Sequence, residues 1–167
     1  MKRITPRIAG VEDIPGLAKH HGKMFAEIWE KKKATLSTAE IEALERAYSD
    51  KLTQQMKDSV CVAWVISHNE RLAASGAITL VSFVPVPNDL NHRIVYLHSM
   101  YTEKEYRGNG CARRIVQAAI DYCRTQGVKR VLLNASDAGR PVYAALGFQA
   151  APEAMRLFIP EKYEEKV

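Results

Sequence analysis

Apolar positions along the chain alternate between helical and strand periods, and the changes of period mark out its elements. Residues 3–9 read as a short strand. Glu12-Asp13-Ile14-Pro15 then marks a helix entry, with acidic residues and proline in the first turn. Ile14, Leu17, Ala18, His21, Phe25 and Ile28 recur at helical spacing, which predicts a first helix to about Trp29. A second helix starts at Ser37, because Ser37-Thr38-Ala39-Glu40 is a capping box in which hydroxyl and carboxylate satisfy each other's orphan amides. Its buried stripe is Ile41, Leu44, Tyr48, Leu52 and Met56. The period then shortens. Ser59–Ser67 and Leu72–Val84 read as strands joined by the turn His68-Asn69-Glu70-Arg71.

Pro85-Val86-Pro87-Asn88-Asp89 breaks the sheet before a further strand over Arg93–Thr102. Ala112, Ile115, Val116, Ala119, Ile120 and Cys123 then form the apolar face of an amphipathic helix that Gly127 ends. Val128–Ala135 reads as a strand, Pro141–Leu146 as a short helix closed by Gly147, and Met155–Ile159 as a last strand. A hairpin meander followed by a β-α-β crossover implies a mixed α/β, α+β-like fold, with helices packed on the sheet. No repeat or linker interrupts this order, so the expectation is a single domain over residues 1–167.

Composition and charge narrow the function by exclusion. Lys plus Arg number 24 against 19 Asp plus Glu, a formal charge of +5, but the cations form no single block. Lys31, Lys32 and Lys33 read as a solvated surface, and no aromatics interleave with the cations, so a nucleic-acid partner is not expected. Cys61, Cys111 and Cys123 have no Cys-x-x-Cys spacing, which implies neither a disulfide framework nor a metal site. No apolar run approaches ~18 residues and the start lacks a signal-peptide core; no membrane association and a cytoplasmic location are the expectations.

The chemistry concentrates in Tyr101-Thr102-Glu103-Lys104-Glu105-Tyr106-Arg107-Gly108-Asn109-Gly110-Cys111-Ala112-Arg113-Arg114, where a strand gives way to a turn and a long helix. The first amides of a helix lack intrahelical partners and its N-terminus carries about half a positive charge. Gly108 and Gly110 clear side chains from that point, and Arg107, Arg113 and Arg114 add charge beside it. Such a turn suits phosphate oxygens. It is neither a nucleoside-triphosphate loop, which needs Gly-x-x-x-x-Gly-Lys-Ser/Thr, nor a dinucleotide fingerprint, because Arg113 stands where the third glycine belongs.

Arg107-x-x-Gly110-x-Ala112 resembles the Gln/Arg-x-x-Gly-x-Gly/Ala motif of the GCN5-related N-acetyltransferase (GNAT) superfamily. The run from Leu133 to Phe148, ending Tyr143-Ala144-Ala145-Leu146-Gly147-Phe148, resembles that superfamily's second signature. The resemblance implies a mostly antiparallel mixed sheet of six to seven strands flanked by about four helices. It implies an acetyl-CoA-dependent N-acetyltransferase acting on an unidentified, small amine. The coenzyme A pyrophosphate would rest on Arg107, Gly108, Asn109, Gly110, Cys111 and Ala112. The pantetheine arm would pair with the backbone of Met100, Tyr101 and Thr102, and Asn134 would bond its amides. Tyr143 would reprotonate the leaving thiolate.

Relatives are often dimers, so a homodimer is one expectation. For a general base, strand alternation puts Tyr96, His98 and Met100 on one face and Leu97 and Ser99 on the other. His98 has the suitable intrinsic pKa. Glu27 could bind an ammonium, His20 and His21 read as surface residues, and ordered water is the remaining base. A cofactor sensor without turnover, a longer acyl donor, a hydroxyl acceptor, and a protein N-terminus or lysine as acceptor stay open.

Overall fold

The structure, a computed structural model, describes residues 5–159. Strand β1 (Arg7–Ile8) leads into helices α1 (Ile14–Lys31) and α2 (Thr38–Met56). Strands β2 (Cys61–His68), β3 (Arg71–Ser82) and β4 (Arg93–Thr102) follow, then α3 (Cys111–Thr125), β5 (Val131–Leu133) and α4 (Arg140–Ala145). The sheet runs in the order β1-β2-β3-β4-β5. It is antiparallel up to β4, and β5 joins β4 in parallel through the α3 crossover.

Local chemistry explains the element boundaries. Ser37 Oγ accepts from the Glu40 amide at 3.2 Å while Glu40 Oε2 accepts from the Ser37 amide at 2.8 Å, so the capping box starts α2. Asn69 and Glu70 both hold positive φ (47° and 65°), the mirror-image turn whose twist matches a two-residue hairpin. At the end of α3, Gly127 at φ 67° lets its amide bond Arg124 O at 3.2 Å and the Val128 amide bond Cys123 O at 2.9 Å. Val128 thereby turns into the core, which delays β5 to Val131 instead of the predicted Val128.

Each sheet face carries its own core. Val62, Trp64 and Ile66 of β2 pack with Ile78, Val95, Leu97, Ile115, Val116 and Ala119 beneath α3. The alternate residues Cys61, Ala63 and Val65 pack with Ile14, Leu17, Ala18, Tyr48 and Leu52 beneath α1 and α2. Because β2 is covered on both sides, six consecutive residues are buried, as in a central strand. Arg7 clamps the start of α1 to the sheet through two bonds to the Asp13 carboxylate, 2.7 and 2.8 Å long.

Two differences from expectation matter. Five strands form among the described residues, where six to seven were expected, and Met155–Ile159 makes no ladder. Met155, Leu157, Phe158 and Ile159 are all exposed, because β5 ends after three residues and presents too short an edge to hold a five-residue partner. Residues 3 and 4 of the first predicted strand lie outside the described residues. The second difference is a bulge in β4. Ser75 pairs Tyr101 and Ala77 pairs His98, so Ser99 and Met100 together face Gly76, and Ser99 takes φ 56°. The extra residue resets the alternation. Ser99 joins His98 on the α1/α2 face, while Met100 lies over Gly76 and Ile115 on the α3 face, opposite to a regular strand.

Candidate active site

The turn ahead of α3 is built to leave amides open. Gly108 (φ 80°) and Gly110 (φ 73°) sit in left-handed backbone that side chains rarely tolerate. A methyl group at Gly108 would meet nothing within 4 Å, and one at Gly110 would meet only the Arg114 guanidinium, 3.7 Å away. Gly110 caps α3 without a side-chain bond. Six successive backbone amides, from Gly108 to Arg113, donate no hydrogen bond within the described residues. Such a concave run of N–H groups at a helix mouth complements a diphosphate. Asn109 Nδ2 braces the turn by donating to Tyr106 O at 3.2 Å, and Arg114 Nη1 does so by donating to Asn109 O at 2.7 Å.

Beside the turn, the sheet opens. β4 and β5 pair only over Val95–Leu97 and Val131–Leu133, and β4 then runs on to Thr102 with no further strand of the described residues on that edge, where Arg107 Nε donates to Thr102 O at 2.9 Å. Glu103 donates to Ala73 O on the β3 side, so alternation turns the Thr102 and Met100 amides toward the open edge. An extended chain carrying amides can add there as a strand. Asn134 follows the last paired residue of β5 and is exposed at the mouth of this cleft.

Tyr143 lies on α4, which packs against α3, and its ring meets Phe148 edge-on at 5.7 Å. The ring is half-buried on the core beneath α3, but its hydroxyl has no hydrogen-bond partner among the described residues and is not sealed by them. Burial raises its pKa, so the phenol holds its proton at neutral pH.

The α1/α2 face of the bulge carries a polar cluster. Lys51 Nζ donates to Thr79 Oγ1 at 2.8 Å, and that oxygen lies 2.8 Å from His98 Nε2. His98 Nδ1 is 3.0 Å from Ser99 Oγ, which is 2.8 Å from His21 Nδ1. Because Lys51 only donates, one assignment satisfies every contact of the chain: Thr79 donates to His98, His98 to Ser99, and Ser99 to His21. Tyr48 stacks on His21 at 4.0 Å and its hydroxyl approaches His98 Nδ1 at 3.4 Å. Burial, helped by the nearby Lys51 ammonium, pushes His98 down to about 3 and His21 to about 4. Both rings are neutral at physiological pH.

A second network joins α1 to the turn ahead of α3. His20 Nδ1 lies 2.8 Å from Ser75 Oγ and its Nε2 lies 3.3 Å from Glu103, whose carboxylate also holds Lys23. His20 and Ser75 are buried, so this Ser-His-Glu line is a packing element with no route for a substrate. Glu27 accepts two bonds from Arg107 Nη2, at 2.8 and 3.0 Å, and one from Tyr101 OH at 3.0 Å. Partial burial works to raise the Glu27 carboxyl, but the Arg107 and Tyr101 bonds overcome it and leave it below its usual range.

Of the expected site residues, the Gly108–Gly110 turn follows the open end of β4 and Tyr143 lies on α4, which packs against α3, while both oxygens of Glu27, the candidate ammonium ligand, hold Arg107. His20 and His21 are part of the interior networks and not surface residues. Lys51, Thr79 and Ser99 were missed; nothing local distinguishes a lysine next to the buried Leu52 from any other helix-face lysine. Among the described residues, no group of three His, Cys, Asp or Glu is placed to hold a metal ion. No helix among them is long and apolar enough to cross a membrane.

Comparison with known proteins agrees with this geometry. The fold superposes on a predicted acetyltransferase of Clostridium acetobutylicum crystallised with acetyl-CoA, with a TM-score of 0.81, 24% identity, and 92% of this chain and 95% of that one covered. It also superposes on a GCN5-related N-acetyltransferase from Ralstonia eutropha, with a TM-score of 0.78, 19% identity, and 92% and 97% coverage. A glucosamine 6-phosphate N-acetyltransferase of Trypanosoma brucei brucei is 29% identical over 62 residues, a match spanning 37% of this chain and 42% of that protein. The profile of the Acetyltransferase (GNAT) family matches residues 23–148, from the middle of α1 through the α4 signature, and the chain belongs to that family.

Proposed function

We propose that the chain transfers the acetyl group of acetyl-CoA to the amine of a small acceptor, by direct attack on the thioester. The observation that carries this reading is the run of six unbonded amides at the α3 mouth, next to a strand edge that β5 leaves open. The diphosphate sits on the amides of Gly108 to Ala112, and the pantetheine arm adds along Met100–Thr102 with Asn134 at its side. The thioester is thereby delivered to the β4 bulge.

The neutral amine forms the new N–C bond while the carbonyl electron pair moves onto oxygen. A free edge amide of β4 stabilises that oxyanion, commonly the largest electrostatic contribution in such reactions. Collapse breaks the C–S bond, and the thiolate takes the Tyr143 proton, which solvent then restores. His98, with a pKa near 3, is too weak to deprotonate an ammonium of pKa near ~10. It acts as a positioning residue that fixes Ser99 at the bulge, and water carries the amine proton away. A cysteine acyl-enzyme is disfavoured: Cys61, Cys111 and Cys123 are all buried, and burial raises each thiol pKa.

Free-thiol release from acetyl-CoA, measured over an amine panel with the product identified by mass spectrometry, tests the reading. Amine-dependent release is expected. A chain that is stabilised by coenzyme A yet releases thiol with no amine is a sensor instead.

A further inference from the structure

The polar groups on the α1/α2 side of the bulge do not balance in charge. Glu27 is held by Arg107, and Glu103 by Lys23 and His20. The remaining carboxylate on the inner part of α2, Glu45, lies against Gly22 and hydrogen-bonds none of the cluster. Lys51 is different. Its ammonium donates to Thr79 Oγ1 at 2.8 Å and to Gln55 Oε1 at 2.7 Å, and no carboxylate of the described residues pairs with it. It is half-buried, as are Thr79, Gln55, His21 and His98, so these groups form the open rim of the cluster and Tyr48 forms its floor. From α1 the groups facing it are His21 and Phe25, from α2 Tyr48 and Gln55, from β2 the buried Cys61 thiol beside Lys51 and Thr79, from β3 Thr79, and from β4 His98 and Ser99. The set is one cation, several hydroxyl and imidazole hydrogen-bonding groups, and no anion.

An ammonium kept partly out of water without a counter-charge attracts an anion strongly, because the lower local dielectric magnifies the interaction. In the proton assignment of the Thr79–His98–Ser99–His21 chain, His21 accepts at Nδ1 and keeps its Nε2 hydrogen, and Lys51 keeps a third N–H beyond those to Thr79 and Gln55, so these two supply donors for carboxylate or phosphate oxygens. An acceptor recognised only through its ammonium would meet repulsion here. Resting on the amine-acceptor reading above, we propose that Lys51, with His21 at the end of the Thr79–His98–Ser99 chain, binds an anionic group of the acceptor, so that the substrate class is amines that also carry a carboxylate or phosphate. Lys51 is then a specificity-determining residue, placing the charged end of the acceptor over α2 and its nitrogen toward the bulge.

Matched pairs test this. Thiol release from acetyl-CoA is measured with phenylalanine against phenethylamine and with glucosamine 6-phosphate against glucosamine, for the wild type, Lys51→Met and Lys51→Arg. In at least one pair the wild type is expected to prefer the anionic member in kcat/KM by about tenfold or more, the scale of one charge-assisted bond. Lys51→Met is expected to collapse that ratio toward unity and Lys51→Arg to keep most of it. Calorimetric titration with acetyl-CoA, unchanged between the wild type and Lys51→Met, shows that the variant is folded. Equal or better turnover of the neutral members, or a ratio that survives Lys51→Met, overturns the proposal and leaves the amine-acceptor reading standing. Acetyl-CoA binding with no thiol release from any member of either pair overturns both.

Discussion

Mild acid should destabilise this fold through the imidazoles of the α1/α2 cluster. His98 is held at about 3 and His21 at about 4, while each titrates near 6.5 in the unfolded chain. A depressed histidine pKa means that the folded state refuses a proton the unfolded state accepts. The stabilisation is therefore complete above pH 6.5 and is lost progressively as the pH falls toward the folded values. At pH 5 the solution is about 1.5 units below the unfolded pKa while His98 stays neutral in the fold, which at 1.36 kcal/mol per unit costs about 2 kcal/mol. His21 is less enclosed, and solvent screening reduces its share to about 1 kcal/mol. His20, also lowered by burial, acts in the same direction. Asp13 and Glu27 have depressed pKa values too, but carboxylates so lowered lose their stabilising charge only below pH ~4, outside this window.

Denaturant unfolding at pH 7.5, 6.5, 5.5 and 5.0 reads the effect directly. The expected fall is about 3 kcal/mol, or roughly 6–12 °C in Tm for a chain of this size. The double variant His98→Gln/His21→Gln should begin less stable but show a much flatter profile. Stability that does not fall between pH 7.5 and 5, or a slope that persists in the double variant, would refute the buried-imidazole argument.

Tyr143→Phe removes the unbonded hydroxyl and leaves the ring on its core contacts; kcat for thiol release should fall about 10²-fold with little change in acetyl-CoA affinity, and an unchanged kcat would move the proton donor elsewhere. Glu27→Gln takes the charged partner from Arg107. Because that pair is partly exposed (43% and 25%), global stability should change by less than about 1 kcal/mol, while calorimetry should show acetyl-CoA binding weakened by roughly fivefold as the turn loosens. Gly76→Val puts a side chain 2.1 Å from Met100 Sδ and 2.9 Å from Ile115 Cγ2, opposite the bulge. Met100 can bend away but the α3 contact cannot, so denaturant titration should record a loss of about 1–3 kcal/mol.

What was legible in the sequence was whatever is decided within a few residues. Ser37 and Glu40 announce α2 because a capping box closes over three positions, and Gly127 ends α3 because its own neighbours supply the bonds. Gly108 and Gly110 marked the left-handed turn ahead of α3 for the same reason. The bulge was not legible, because register belongs to two strands: only the pairing of β3 with β4 shows that Ser99 and Met100 together oppose Gly76. The Glu27–Arg107 bond was not legible either, because the two residues stand 80 positions apart in the chain. The Lys51–Thr79 contact likewise joins α2 to the sheet across 28 residues. Met155–Ile159 has the apolar, β-prone composition of a strand, but composition cannot supply a neighbour.

The account stands or falls on the open amides at the mouth of α3. Calorimetric titration of acetyl-CoA into the wild type and into Gly110→Glu tests them most directly, since that position is exposed and has room for a side chain. The expected result is saturable binding by the wild type and a loss of at least about tenfold in the variant, whose carboxylate would face the diphosphate from a strained left-handed residue. Equal affinity in the two proteins, or no heat from a well-folded wild type, would contradict it.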